Sequence, residues 1–92
     1  MIRNFRHKGL KELFETGRSR RVRPDLVRRT VRRLEALSQA ERPEDLDVPG
    51  FNFHGLAGSL ANSYSVHING PWCITFEWRD GDAVNVDLVN YH

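Results

Sequence analysis

Apolar and polar residues alternate with a period of two through most of the last third of the chain, SYSVHINGPWCITFEWRDGDAVNVDLVNYH. Tyr64, Val66 and Ile68 alternate with Ser63, Ser65, His67 and Asn69, and Trp72, Ile74, Phe76 and Trp78 alternate with Cys73, Thr75 and Glu77. That period predicts three antiparallel strands, each with one apolar and one polar face. A slip of one residue would turn every apolar side chain toward water, so matching faces sets the register. It pairs Ile68 with Ile74 and Val66 with Phe76, leaves Gly70-Pro71-Trp72 as the loop, and puts Asn69 opposite Cys73 and His67 opposite Thr75. A second hairpin turns at Arg79-Asp80-Gly81-Asp82 and sets Ile74 against Leu88 and Phe76 against Val86. The polar face then collects His67, Asn69, Cys73, Thr75 and Asp87, with Tyr91 and His92 at the strand end. Such a face is either the seat of the chemistry or the solvated side of an ordinary antiparallel sheet.

Ahead of the alternation the period changes. Residues 2–6 carry Ile2 and Phe5 and suit an edge strand. Over residues 7–16 Leu10, Leu13 and Phe14 fall on one helical stripe, and Gly17 is a natural C-terminal stop. Pro24 and Asp25 open a longer helix, since proline suits the first helical position and a carboxylate suits the positive end of the dipole. Val27, Val31, Leu34 and Leu37 form its buried stripe, with Leu26 at the margin; Arg28, Arg29, Arg32 and Arg33 take the remaining surface, and Arg42-Pro43 closes it. Residues 43–50 read as a loop and residues 51–54 as the start of another strand. The order predicts an α+β domain over residues 1–92, with two N-terminal helices packed on one twisted, mainly antiparallel sheet.

Ninety-two residues suffice for one core but not two. No apolar run approaches the roughly 20 residues of a membrane span. The N-terminus has no apolar core followed by a small-residue cleavage site, so no secretory signal is expected. A single cysteine excludes an internal disulfide and fits a reducing cytoplasm. The net charge of +2 conceals a sharper division: residues 1–42 hold 13 Lys and Arg against 5 Asp and Glu, and residues 43–92 hold 1 against 7. Twelve of the 14 basic residues are arginine, whose planar fork suits bidentate phosphate contacts. The basic half points to a polyanion or an acidic partner, or to simple attraction between the two halves on folding.

Phosphate-loop glycines, a serine nucleophile elbow and paired-cysteine zinc motifs are all absent. His54, His67, His92 and Cys73 do not have a common metal-ligand spacing, so no metal is expected. Four histidines in so short a chain suit proton transfer, because imidazole titrates closest to neutral pH.

The opening IRNFRHKGLKELFETG, the segment PGFNFHGLAG, the stretch YSVHINGPWCITFEW and the ending GDAVNVDLVNYH together resemble the HigB group of RelE-type toxins, the plasmid-maintenance killer proteins. The resemblance covers nearly the whole chain. It implies a compact RelE-like fold and a cofactor-free, metal-independent endonuclease that cuts messenger RNA in the ribosomal A site. The RNA's own 2′-hydroxyl attacks the adjacent phosphorus in such enzymes and leaves a 2′,3′-cyclic phosphate. The implied partners are the ribosome, its message and a HigA-like helix-turn-helix antitoxin, with operator DNA reached only through the antitoxin.

Residue by residue, His54, Tyr91 and His92 match family positions implicated in catalysis, and His67 and Asn69 are candidates for phosphate contacts. Lys8, Lys11, Arg28, Arg29, Arg32 and Arg33 are candidates for contacts to ribosomal RNA or a partner. Ala57 stands where the family usually has lysine, and Asn69 and Cys73 stand where it usually has arginine. Losing one donor aimed at developing charge costs about 100- to 1000-fold in rate. The departures therefore imply a weakened nuclease, whether as a natural variant relying on His54, His67 and His92 or through attenuating substitutions at Ala57 and Cys73. The alternative is a degenerate toxin acting mainly as an antitoxin-binding protein in an autoregulatory complex. A generic RNA-binding sheet would expose stacking aromatics, whereas Trp72, Phe76 and Trp78 share the apolar stripe.

Overall fold

The computed structural model describes residues 1–56 and 62–91. Two helices, α1 (Lys8–Thr16) and α2 (Val27–Gln39), precede four strands: β1 (His54–Gly55), β2 (Ser63–Asn69), β3 (Trp72–Arg79) and β4 (Asp82–Asn90). The strands form one antiparallel sheet in the order β1-β2-β3-β4. This is the expected α+β plan. No helix among the described residues is long and apolar enough to cross a membrane.

The apolar face of the meander is covered by the helices. Leu10 and Leu13 from α1, Leu34 and Leu37 from α2, and Val66, Ile68, Ile74, Phe76 and Val86 from the sheet share one buried cluster. Helix α1 ends at Gly17, whose left-handed φ of 82° lets its N–H return to the Leu13 carbonyl. Pro24–Leu26 forms a single 3-10 turn before α2 begins, which rotates Leu26 from the margin into the core, 1% exposed. Phe14 departs from the expected stripe: it is 40% exposed and leans on Phe5, with ring centroids 5.8 Å apart.

The strand pairing corrects the expected register by two residues. Val66 faces Ile74 and Tyr64 faces Phe76, so Ser65 opposes Thr75 and His67 opposes Cys73. The turn is tighter than expected: Trp72 belongs to β3 and pairs with Asn69, and a bulge between His67 and Asn69 absorbs the mismatch. A shift of two leaves every side chain on its own face, so the polar face survives the correction.

In the second hairpin Arg79 pairs with Asp82 around the two-residue loop Asp80-Gly81, at φ 51° and 83°. These left-handed angles define the turn that matches strand twist. Ile74 pairs with Leu88 as expected, but a bulge follows Thr75 and places both Asn85 and Val86 across from Phe76. The N-terminal segment is not a full strand. Ile2 bridges Ala83 and Phe5 bridges Val86, both in parallel, along the outer edge of β4.

Leu34 is fully buried where α2 meets the sheet. Replacing Leu34 with alanine should cost about 2–5 kcal/mol of stability, read from urea denaturation. A loss under about 1 kcal/mol would contradict this packing.

Candidate active site

Strand β1 is only two residues long, yet it sets the first candidate side chain. His54 pairs with Ser65 on β2, Ser65 with Thr75 on β3, and Thr75 with Asp87 on β4, so one polar row crosses all four strands. The neighbouring row runs from His67 to Cys73 to Val89. His54 and His67 therefore lie on adjacent rows of one face.

Their hydrogen bonds orient both rings. His54 Nδ1 lies 3.0 Å from the Asn52 carbonyl oxygen, which can only accept, so Nδ1 carries the proton and Nε2 is left as acceptor in the neutral ring. The Ser65 hydroxyl, itself buried, lies 3.3 Å from that Nε2 and donates to it. His67 takes the other tautomer, because its Nε2 lies 2.9 Å from the Gly70 carbonyl oxygen and donates there.

A cleft of about 180 Å³ opens beside these rows, lined by Arg6, Ser63, Thr75, Glu77, Asp87 and Tyr91 among others. Tyr91 is 48% exposed, and its backbone N–H donates to the Pro71 carbonyl at 2.7 Å. That bond ties the chain end to the β2–β3 turn, next to exposed Asn69. Arg6 is the one cation lining this cleft among the described residues. It reaches the polar side because residues 2–5 run along β4, and its Nη2 stands 3.8 Å from Glu77. The Asn85 amide donating to Glu77 at 2.9 Å holds that carboxyl below its ordinary value, with Arg79 and Arg6 adding to the effect and burial opposing it. Burial pushes the Cys73 thiol upward, so at neutral pH it is a protonated, weakly nucleophilic group.

Ala57 and His92 lie outside the described residues. Lys8, Lys11, Arg28, Arg29 and Arg32 are exposed on the two helices, in the layer that covers the apolar side of the sheet. Arg33 must be corrected. It is 6% exposed, and its guanidinium donates to the carbonyls of His67, Gly50 and Arg29, so it is not a surface contact. Among the described residues no three His, Cys, Asp or Glu side chains are grouped as metal ligands.

The RelE-like toxin model for HigB of type II toxin–antitoxin systems matches residues 3–92. The chain belongs to this toxin family. It is 36% identical to the endoribonuclease HigB of Proteus vulgaris, with both chains covered in full. It is 32% identical to toxin HigB-1 of Vibrio cholerae over 90 residues, 96% of this chain and 95% of the other.

Arg6 is not among the candidates legible in the sequence, because nothing there shows that the N-terminal segment pairs with the last strand. A wider cleft of about 620 Å³ lies between α1 and the connector that follows it, lined by Arg18, Arg20 and Arg21 with Glu12, Thr16 and Ser19. The run of arginines there was visible, but a connector without a period offers no face to assign.

Glu77 yields a pH prediction. A carboxyl depressed in the folded state stabilises the protein above its unfolded pKa, and that contribution fades as pH falls through the folded value. Glu77→Gln should therefore lower the free energy of unfolding at pH 7, read from urea denaturation, by no more than about 1 kcal/mol given solvent screening. The gap should begin to narrow as pH falls past the ordinary glutamate value and should close only below the still lower folded value. A gap that is constant with pH would contradict the assigned interaction.

Proposed function

We propose that this protein is a toxin that cleaves messenger RNA on the ribosome, working in the cytoplasm and held in check by a HigA-like antitoxin. The observation that carries the reading is the full-length match to an endoribonuclease in a chain whose polar face carries His54 with Nε2 as acceptor. Cleavage requires a base for the 2′-hydroxyl, positive charge for the pentacovalent phosphorus and an acid for the departing 5′-oxygen. His54 Nε2 takes the hydroxyl proton, displacing the long bond from Ser65. The oxygen attacks phosphorus, the bond to the 5′-oxygen breaks, and His92 returns a proton to that oxygen. The products are a 2′,3′-cyclic phosphate and a 5′-hydroxyl end.

Tyr91 stacks on or positions the nucleotide from the rim of the cleft. His67 and Asn69, on the strand that leads into the turn to which Tyr91 is tied, contact phosphate. With Ala57, Asn69 and Cys73 standing where the family usually has cations, Arg6 supplies positive charge to the cleft. The basic residues of the helices and of the connector, Lys8, Lys11, Arg28, Arg29, Arg32, Arg18, Arg20 and Arg21, grip ribosomal RNA. The helical layer thus holds the ribosome while the opposite face meets the message. Operator DNA is reached through the antitoxin.

Purified His54→Gln should cleave a message on translating ribosomes about 100- to 10,000-fold more slowly than wild type. Its affinity for ribosomes should be unchanged. Cleavage at the wild-type rate would remove His54 from the mechanism.

A further inference from the structure

We infer that Arg33 is a positioning residue for the catalytic face, standing in for a missing strand at the outer edge of β2 and so fixing the backbones that carry His67 and His54. The inference rests on the proposed nuclease reading for its kinetic consequence, though not for its structural one.

Strand β1 covers the outer edge of β2 only at Tyr64 and Ser65. Ser65 and His67 are two residues apart, so their N–H and C=O groups point to the same edge. At Ser65 that edge is met by β1, whereas at His67 no strand remains to meet it. The Phe51 carbonyl accepts the His67 N–H at 2.6 Å, and Arg33 Nε donates to the His67 carbonyl at 2.7 Å. The guanidinium therefore supplies the donor that a neighbouring strand would have provided. It does so at the bulge between His67 and Asn69, where the ladder to β3 is itself interrupted.

The same fork holds the approach to His54. Arg33 Nη2 donates to the Gly50 carbonyl at 3.2 Å, and the guanidinium carbon sits 4.4 Å from the Phe51 ring centroid. One residue further on, the Asn52 carbonyl accepts from His54 Nδ1. A third donor, Nη1, closes onto the Arg29 carbonyl within α2 at 3.1 Å. One buried side chain thus joins α2, the 50–52 segment and the His67 backbone.

Burying a cation is costly, and among the described residues Arg33 has no carboxylate partner. Burial and the nearby charges of Arg29 and Arg32 all disfavour its charged form. An apolar side chain would fill this volume at lower cost, but it could not donate to three carbonyls. Lysine could keep the charge, yet its ammonium has neither the planar fork nor the flat face that lies over Phe51.

The test compares wild type with Arg33→Lys and Arg33→Met. Long-range nitrogen–proton spectra of the histidine rings in the free protein report the tautomers of His67 and His54. Thermal melting reports the fold, and kcat and KM are measured on translating ribosomes. Wild type should show His67 protonated at Nε2 and His54 at Nδ1. Arg33→Lys should stay folded at 25 °C with both rings moved toward a tautomer mixture, and its kcat should fall at least tenfold with KM within twofold. Ring spectra identical to wild type in Arg33→Lys would overturn the inference, whatever the activity. Unfolding of Arg33→Lys as well as Arg33→Met would overturn it too, in favour of a purely structural role. A wild-type protein that does not cleave would sink the nuclease reading, while the ring spectra would still decide the role of Arg33.

Discussion

Everything in this structure follows from the two-faced meander of β2, β3 and β4. Apart from two bulges these strands alternate, and their apolar face left uncovered would be a contiguous exposed patch of a kind that soluble monomers rarely carry. Covering it fixes where the helices must go: Leu10, Leu13, Leu34 and Leu37 close over Val66, Ile68, Ile74 and Phe76. The opposite face is then open by default. The candidate site lies there because the side chains that stay out of the core, His54, His67, Thr75 and Asp87, are carried to the same side by the pleat.

The edges of the sheet matter as much as its faces. On the β4 side, residues 2–5 lie alongside the strand, and Arg3 and Arg6 approach Asp82 and Glu77. Exposed pairs of this kind stabilise little. Their larger effect is to bring a cation into a cleft otherwise charged by Glu77 and Asp87. On the β2 side the covering strand is short, and the remaining edge is finished by the Phe51 carbonyl and the Arg33 guanidinium. Both edges thereby shape the site, one by supplying charge and the other by fixing backbone.

Much of this was legible in the residues. Period-two alternation reported the faces, Gly17 and Pro24 reported helix ends, and Asp80-Gly81 reported a two-residue turn. Register was harder, because two placements that differ by two residues bury the same faces; only the tight Gly70-Pro71 turn and the bulge at Ile68 separate them. The helical stripe misassigned Arg33 because amphipathic logic sends every charge to water, and the carbonyls that satisfy this one come from distant parts of the chain. Phe14 was misassigned for the converse reason, since apolar character alone does not say whether a partner lies opposite. The contribution of Arg6 depended on a parallel pairing between the two ends of the chain, for which no local signal exists.

On the proposed function, this polar face, with its few cations, still cuts RNA during translation. That function is tested most directly by inducing the chain in bacteria that lack an antitoxin and mapping 5′ ends on a reporter message by primer extension. Growth arrest is expected, with new ends within translated codons that disappear when the reporter's start codon is removed. Normal growth with an intact message would contradict it.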